Sequence, residues 1–292
     1  MLPKSQEAFR LVHISDIHFR VFPWNPLSCF NKRLKGLLRQ VFSPIDFHAS
    51  TICKRFPDLL HDLQADSVCL TGDLTLTALD AEFLLARYCV DRLSKYARIY
   101  VLPGNHDVYT QKALREQTFY HYFPDIQLQK EKLSINRLTK HWWLVLLDCS
   151  CLNGWFAANG AIQQTQISNL EDFLRTLPTN ENVIIANHYP LLPSKKKAHD
   201  LINHKLLQRA LKNYPNVHLY LHGHEHQAAV YNNKGFSPSL ILNSGSVSLP
   251  SNARFHILDL YPRSYLAYTA VFTNLLKYEE PLKISIKTSL QS

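Results

Sequence analysis

The strongest constraint on this chain is a recurring pattern of short apolar runs, rich in β-branched residues, each stopped by a polar cluster and several followed by helical spacing. Phe9 to Ser15 alternates and stops at Asp16. Asp66 to Thr71 and Arg98 to Leu102 are two more predicted strands, ending in Thr71-Gly72-Asp73 and Pro103-Gly104-Asn105-His106-Asp107. Between them, Ala78 to Ser94 carries apolar residues at helical spacing. Further on, strands are predicted at Trp142 to Leu147, Asn182 to Asn187 and Val217 to Leu221, and helices at Gln163 to Leu177 and Asp200 to Asn213. From Ala228 the pattern turns to strands and turns, with a hairpin tip at Tyr231 to Gly235 and a late strand at Phe255 to Leu260. This alternation predicts an α/β protein, a four-layer αββα sandwich of two mixed sheets flanked by helices.

The 292 residues are 46% apolar and 19% charged, enough to bury a large core, and nothing reads as a linker, so one domain over 1–292 is expected. The N-terminal stretch lacks a secretory apolar run, and no segment reaches the ~18 uninterrupted apolar residues of a membrane span. A cytoplasmic protein is the expectation, with Cys29, Cys53, Cys69, Cys89, Cys149 and Cys151 as reduced thiols. Lys plus Arg is 32 against 23 for Asp plus Glu, a formal charge of +9. This favours an anionic partner without choosing one, and a solubilising surface explains it equally well.

One stretch interrupts the strand–helix order. Residues 19–45 form a basic, aromatic insert whose Phe19 to Phe42 reads FRVFPWNPLSCFNKRLKGLLRQVF. From Leu27 onward, Phe30, Leu34, Leu37, Leu38 and Val41 fall on one side of a predicted helix, with Lys32, Arg33, Lys35 and Arg39 on the other. Three readings are open. The insert packs on the domain, caps the cleft that begins beside His18, or makes a peripheral membrane contact through Phe22, Trp24, Leu27 and Phe30. Lys195-Lys196-Lys197 reads either as a solvated loop or as an attractor for an anionic substrate.

Chemistry gathers where predicted strands end: Asp16 and His18, Asp73, Asn105 and His106, His188, then His224 and His226. In open α/β sheets ligands bind outside the carboxyl ends of strands, so five loops aim these side chains at one crevice. Imidazole, carboxylate and amide oxygen are ligand types for Mn, Fe or Zn. With one shared carboxylate the set suffices for two divalent transition-metal ions, which could clamp a phosphoryl group and activate water. Any single histidine among the fifteen is better read as structural, and so are His48, His61, His121, His141, His199, His204, His218 and His256. His13 reads as a packed core residue, and His222 as a structural neighbour of the site or a support for it.

The ordered motifs Asp16-Ile17-His18, Gly72-Asp73, Gly104-Asn105-His106-Asp107, His188 in NHYP and Gly223-His224-Glu225-His226 resemble those of the calcineurin-like metallophosphoesterases over about residues 9 to 260. The bacterial branch that includes the class III cyclic-nucleotide phosphodiesterases is the most similar. The resemblance implies that Asp16, His18 and His226 bind one metal, that Asn105, His188 and His224 bind the other, and that Asp73 bridges them. It implies that His106 contacts the phosphate and protonates the leaving oxygen or stabilises the transition state, while Asp107 holds the loop. Many relatives carry a second acid shortly after the Gly-Asp pair. Here the residues are Leu74-Thr75-Leu76, so His106 must find another partner or work less strongly as an acid.

The expected activity is therefore metal-dependent hydrolysis of a phosphodiester, phosphomonoester or pyrophosphate. A nucleotide-lipid pyrophosphatase at the membrane face and a catalytically inactive binding module of the same fold are the competing readings. A nucleic-acid partner is not expected, because no long basic stripe with interleaved aromatics lies outside the insert. The sequence sets no oligomeric state.

Overall fold

A computed structural model of the chain describes residues 2–22, 33–34, 45–124, 133–154, 157–178, 180–194, 196–233, 235–272, 277–278 and 282–285. The first half runs β1 (Phe9–Ile14), α1 (Ala49–Leu63), β2 (Ser67–Leu70), α2 (Asp80–Leu93), β3 (Arg98–Val101), α3 (Gln111–Arg115) and α4 (Thr118–Tyr122). The second half runs β4 (Leu133–Arg137), β5 (Trp142–Leu147), β6 (Gly160–Ala161), α5 (Gln164–Thr176), β7 (Asn182–Asn187), β8 (Leu201–Ile202), α6 (His204–Leu211) and β9 (Val217–His222). It closes with β10 (Ala229–Asn232), β11 (Leu240–Asn243), β12 (Arg254–Tyr261), β13 (Ser264–Val271), β14 (Lys277–Tyr278) and β15 (Leu282–Ser285).

Two large mixed sheets result. One has the order β14-β13-β12-β1-β2-β3, with β15 also pairing β13, and the other the order β10-β11-β9-β7-β5-β4. In the first sheet β1, β2 and β3 are parallel, and in the second β5, β7, β9 and β11 are. All seven therefore end at the same rim of their sheets.

Period-two alternation sorts the strand residues into layers. Leu11, Cys69 and Leu258 of the first sheet meet Leu144, Ile184, Leu219 and Leu242 of the second in a core between the sheets. The opposite faces pack on helices. Val12, Val68 and Ile257 meet Ile52, Phe56 and Leu60 of α1 and Phe83 and Val90 of α2. Val145, Ile185 and Ile241 meet Ile167 and Leu170 of α5 and Leu207 of α6. This is the αββα arrangement expected from the sequence.

The differences lie in the longer connections. The helix expected from Asp200 is shortened to His204–Leu211, because Leu201 and Ile202 pair with Gly160 and Ala161 instead. The expected hairpin tip lies earlier than the observed connection, since β10 runs to Asn232 and its partner β11 begins only at Leu240. Of the helix expected from Leu27, only residues 33 and 34 are described. Arg33 donates hydrogen bonds to the carbonyls of Thr77 and Ala78, at 2.9 and 2.6 Å. Trp24, Leu27, Phe30, Leu37, Leu38 and Val41 lie outside the described residues, as do Cys29 and Lys195. Lys196 and Lys197 are exposed. The other five cysteines are free thiols, and no described helix is long and apolar enough to cross a membrane.

Candidate metal centre

Every residue singled out at a strand end lies at one rim. Asp16 and His18 follow β1, Asp73 follows β2, Asn105 and His106 follow β3, His188 follows β7, and His224 and His226 follow β9. The loops lock to one another through the backbone: Asp16 N–H donates to the Gly72 carbonyl and His18 N–H to the Asp73 carbonyl, both at 3.0 Å. Asp16, His18, Asp73, His224 and His226 all adopt positive φ, between 54° and 74°. Such left-handed backbone costs non-glycine residues of order 1–3 kcal/mol each and persists only where the surroundings over-determine it.

Each carboxylate is held by one oxygen and offers the other. His106 N–H donates to Asp73 Oδ1 at 2.8 Å, and His224 N–H to Asp16 Oδ2 at 3.0 Å. The free Asp16 Oδ1 lies 3.1 Å from His226 Nε2 and 3.5 Å from His18 Nε2. Asp73 Oδ2 lies 3.4 Å from His188 Nε2 and 3.8 Å from His18 Nε2. The histidines also face one another, with His18 and His226 Nε2 atoms 3.0 Å apart and His188 Nε2 3.1 Å from His224 Nδ1. Asn105 Oδ1 is 3.2 Å from His188 Nε2.

Two groups of donor atoms, Asp16, His18, Asp73 and His226, then Asp73, His188 and His224, each lie within 4.8 Å of one another. Asp16 Oδ1 is buried without a hydrogen-bond partner. Buried lone pairs converging on one another are unfavourable unless a cation lies among them, so the residues present fit a pair of metal ions. The calcineurin-like family that the motifs resemble depends on dinuclear metal centres.

The electrostatics agree. Burial pushes Asp16 and Asp73 up, but neighbouring imidazoles outweigh it and hold both carboxyls well below their usual range. Burial pulls His188 down, yet Asp73 and Asp16 outweigh it and raise His188 to about 9. Burial and the His188 charge push His224 well below the usual imidazole value. His188 donates Nδ1–H to the Thr71 carbonyl at 2.7 Å, which fixes the ring and aims Nε2 at the centre.

Supporting groups come from places the motif reading left out. Ser246 and Ser248 hydroxyls both donate to the Asp16 carbonyl, at 2.7 and 3.1 Å, from the loop after β11. The signal for them was a run of small polar residues, Asn243 to Ser248, at a strand end. Asn252 donates to the His226 carbonyl. Asp107 accepts from Leu74 N–H, Thr75 N–H, the Thr75 hydroxyl and Gly104 N–H, at 2.8 to 3.2 Å, tying the two loops together as expected. His199, read from sequence as structural, has its ring 5.1 Å from that of His224. Phe47, which no motif marked, lies 4.4 Å from His18. His13, His222 and His256 are buried behind the centre. Glycines at two motif positions make the approach possible: a Cβ on Gly104 would lie 2.1 Å from Asp73 Oδ1, and one on Gly223 would lie 2.3 Å from Asp16 Oδ2.

Comparisons with known proteins point the same way. The sequence profile of the calcineurin-like phosphoesterases matches residues 9–228. A 3′,5′-cyclic-nucleotide phosphodiesterase of Nostoc sp. is 27% identical over 224 residues, covering 74% of this chain and 71% of that protein. The 3′,5′-cyclic adenosine monophosphate phosphodiesterase CpdA of Escherichia coli K12 is 26% identical over 170 residues, 57% of this chain and 56% of CpdA. In fold, the chain is similar to a dimetal phosphatase from Danio rerio, with TM-score 0.63, 15% identity and coverage of 96% and 99% of the two chains. A purple acid phosphatase from yellow lupin gives TM-score 0.64 at 12% identity, covering all of this chain and 58% of the other. The chain belongs to the calcineurin-like phosphoesterase family, and it is a hydrolase acting on phosphoester bonds.

Proposed function

We propose that this protein hydrolyses phosphodiesters with two divalent transition-metal ions, Mn, Fe or Zn. Asp16, His18 and His226 hold one, Asn105, His188 and His224 the other, and Asp73 is shared. The observation that carries this reading is the position of Asp73 Oδ2, 3.8 Å from His18 Nε2 on one side and 3.4 Å from His188 Nε2 on the other. When bound, such a pair of cations polarises a phosphoryl group and makes hydroxide available near neutral pH. A diester is favoured over a monoester or pyrophosphate because the two curated relatives described above are cyclic-nucleotide phosphodiesterases.

The protein's own part is positioning and proton control. The Leu76 carbonyl takes the Nδ1–H of His106, leaving Nε2 for the substrate. Burial lowers His106 to about 4, while the Asp73 charge works against that shift. An anionic phosphoester beside the ring works in the same direction as Asp73, favouring the imidazolium that donates a proton to the leaving oxygen. The test is a phosphoester panel assayed with Mn²⁺, Zn²⁺ and Fe²⁺ on protein of measured metal content. Protein that holds two metal equivalents yet turns over no phosphodiester would sink the proposal. Faster turnover of a lipid-linked pyrophosphate than of a generic aryl diester would move the function to the membrane face.

A further inference from the structure

Phe47 stands at the open side of this site. Its ring lies 4.4 Å from that of His18 and meets the His226 ring edge-on at 5.6 Å and 90°. The His18 side chain is fully buried, whereas that of His226 is 27% exposed, so the two rings touching Phe47 span from the interior to solvent. His106 is half-buried, and its ring packs edge-on against the same His18 at 4.9 Å. Phe47 therefore borders the side on which the site reaches solvent at His226, and His106 packs on the same His18 ring, so a substituent on a phosphoryl group held by the ligand atoms would have an aromatic face beside its exit. Phe47 is not needed to anchor these ligands through the backbone. His18 N–H is held by the Asp73 carbonyl, and the His226 carbonyl by Asn252. Among the described residues, Phe47 is flanked by exposed Asp46 and His48, which are hydrogen-bonded to each other at 2.8 Å. A phenyl ring bordered by these polar groups suits a flat, polar-edged ring.

We infer that Phe47 is the specificity wall for the leaving group and stacks on the base of a nucleoside carried by the phosphoryl group. The inference deepens the dinuclear-hydrolase reading and rests on it. Calorimetric titration of Mn²⁺-loaded protein with adenosine 5′-monophosphate and with inorganic phosphate tests it, because the two ligands differ only by the nucleoside. Wild type should bind the nucleotide more tightly than phosphate. Phe47→Ala should weaken the nucleotide about tenfold, the size of one base–aromatic stack, with phosphate affinity and metal content unchanged. Phe47→Trp should keep the nucleotide preference, and Phe47→Leu, which retains an apolar filler, should lose it. Equal weakening of both ligands, or loss of metal, would make Phe47 a packing residue and overturn the inference. So would a wild-type protein that binds phosphate but prefers no nucleotide. If wild type binds neither ligand, the metal-site reading fails and takes this one with it.

Discussion

His106 Nδ1 lies 2.6 Å from the carbonyl oxygen of Leu76, so the imidazole is oriented by the main chain and not by an acid following Asp73. A peptide carbonyl fixes the same tautomer as a carboxylate through a weaker, neutral hydrogen bond, and it adds no full negative charge to hold a proton on the ring. His106→Ala should therefore lower kcat by ~100-fold or more while two metal equivalents stay bound. Metal analysis beside steady-state kinetics checks this, and metal loss in the variant would make His106 a ligand.

Asp73→Asn should eliminate turnover and weaken retention of both ions, because Oδ2 faces His18 and His188 together. Stoichiometry by elemental analysis should fall from about two to one or fewer, as expected when a shared carboxylate is removed from a two-metal site. Retention of both ions with full activity would refute the bridging role.

Metal loading should release protons. His188 is raised to about 9 by the carboxylates around it, so at pH 7.5 it carries a proton where a cation would sit. Binding should expel about one proton from this ring. Calorimetry in two buffers of different ionisation heat measures the number, and a heat independent of buffer would remove His188 from the ligand set.

Gly223→Ala should disable the first-metal half of the site without unfolding the protein. The new methyl would lie 2.0 Å from Ser15 Oγ and 2.3 Å from Asp16 Oδ2, the oxygen that accepts His224 N–H. One metal equivalent should be lost while the circular-dichroism spectrum stays that of wild type. Unchanged metal content would show that the loop can yield.

Stability should fall in mild acid. Burial depresses His218 and His256 to about 4, below the ordinary 6.5 they regain on unfolding. Between these values the unfolded chain binds protons that the folded chain refuses, so stability drops as pH falls from about 6.5 toward 4. The slope is up to about 1.4 kcal/mol per pH unit for each ring, and neither contributes a slope above 6.5. Urea unfolding at pH 7.5 and 5 measures it, and His256→Gln should reduce the difference by the share of one ring. An equal difference in that variant would assign the effect to other groups.

Much of the architecture was legible because strand and helix periodicities are local. β5 and β7 have the predicted bounds, and α5 differs by one residue at each end. Helix α1 was harder to read, since Pro57 sits inside it and its N-cap His48 makes no side-chain capping bond. Its evidence is tertiary: Ile52, Phe56 and Leu60 pack on the first sheet. Arg10 shows the same limit. Nothing in its residue type marks it as buried, yet it is fully buried within β1, paired through two nitrogens with Asp259 at 2.6 and 2.7 Å.

The site divides in the same way. Residue types at strand ends, and the order of the motifs, were enough to nominate Asp16, His18, Asp73, Asn105, His106, His188, His224 and His226, because parallel strands carry their carboxyl-terminal loops to one rim. Sequence alone could not find the Leu76 carbonyl or Phe47, and it marked Ser246 and Ser248 only as part of a run of small residues at a strand end. Their roles depend on distances between segments far apart in the chain, and a backbone oxygen or a single phenyl ring leaves no mark in residue type. Those distances are set only when the two sheets pack face to face.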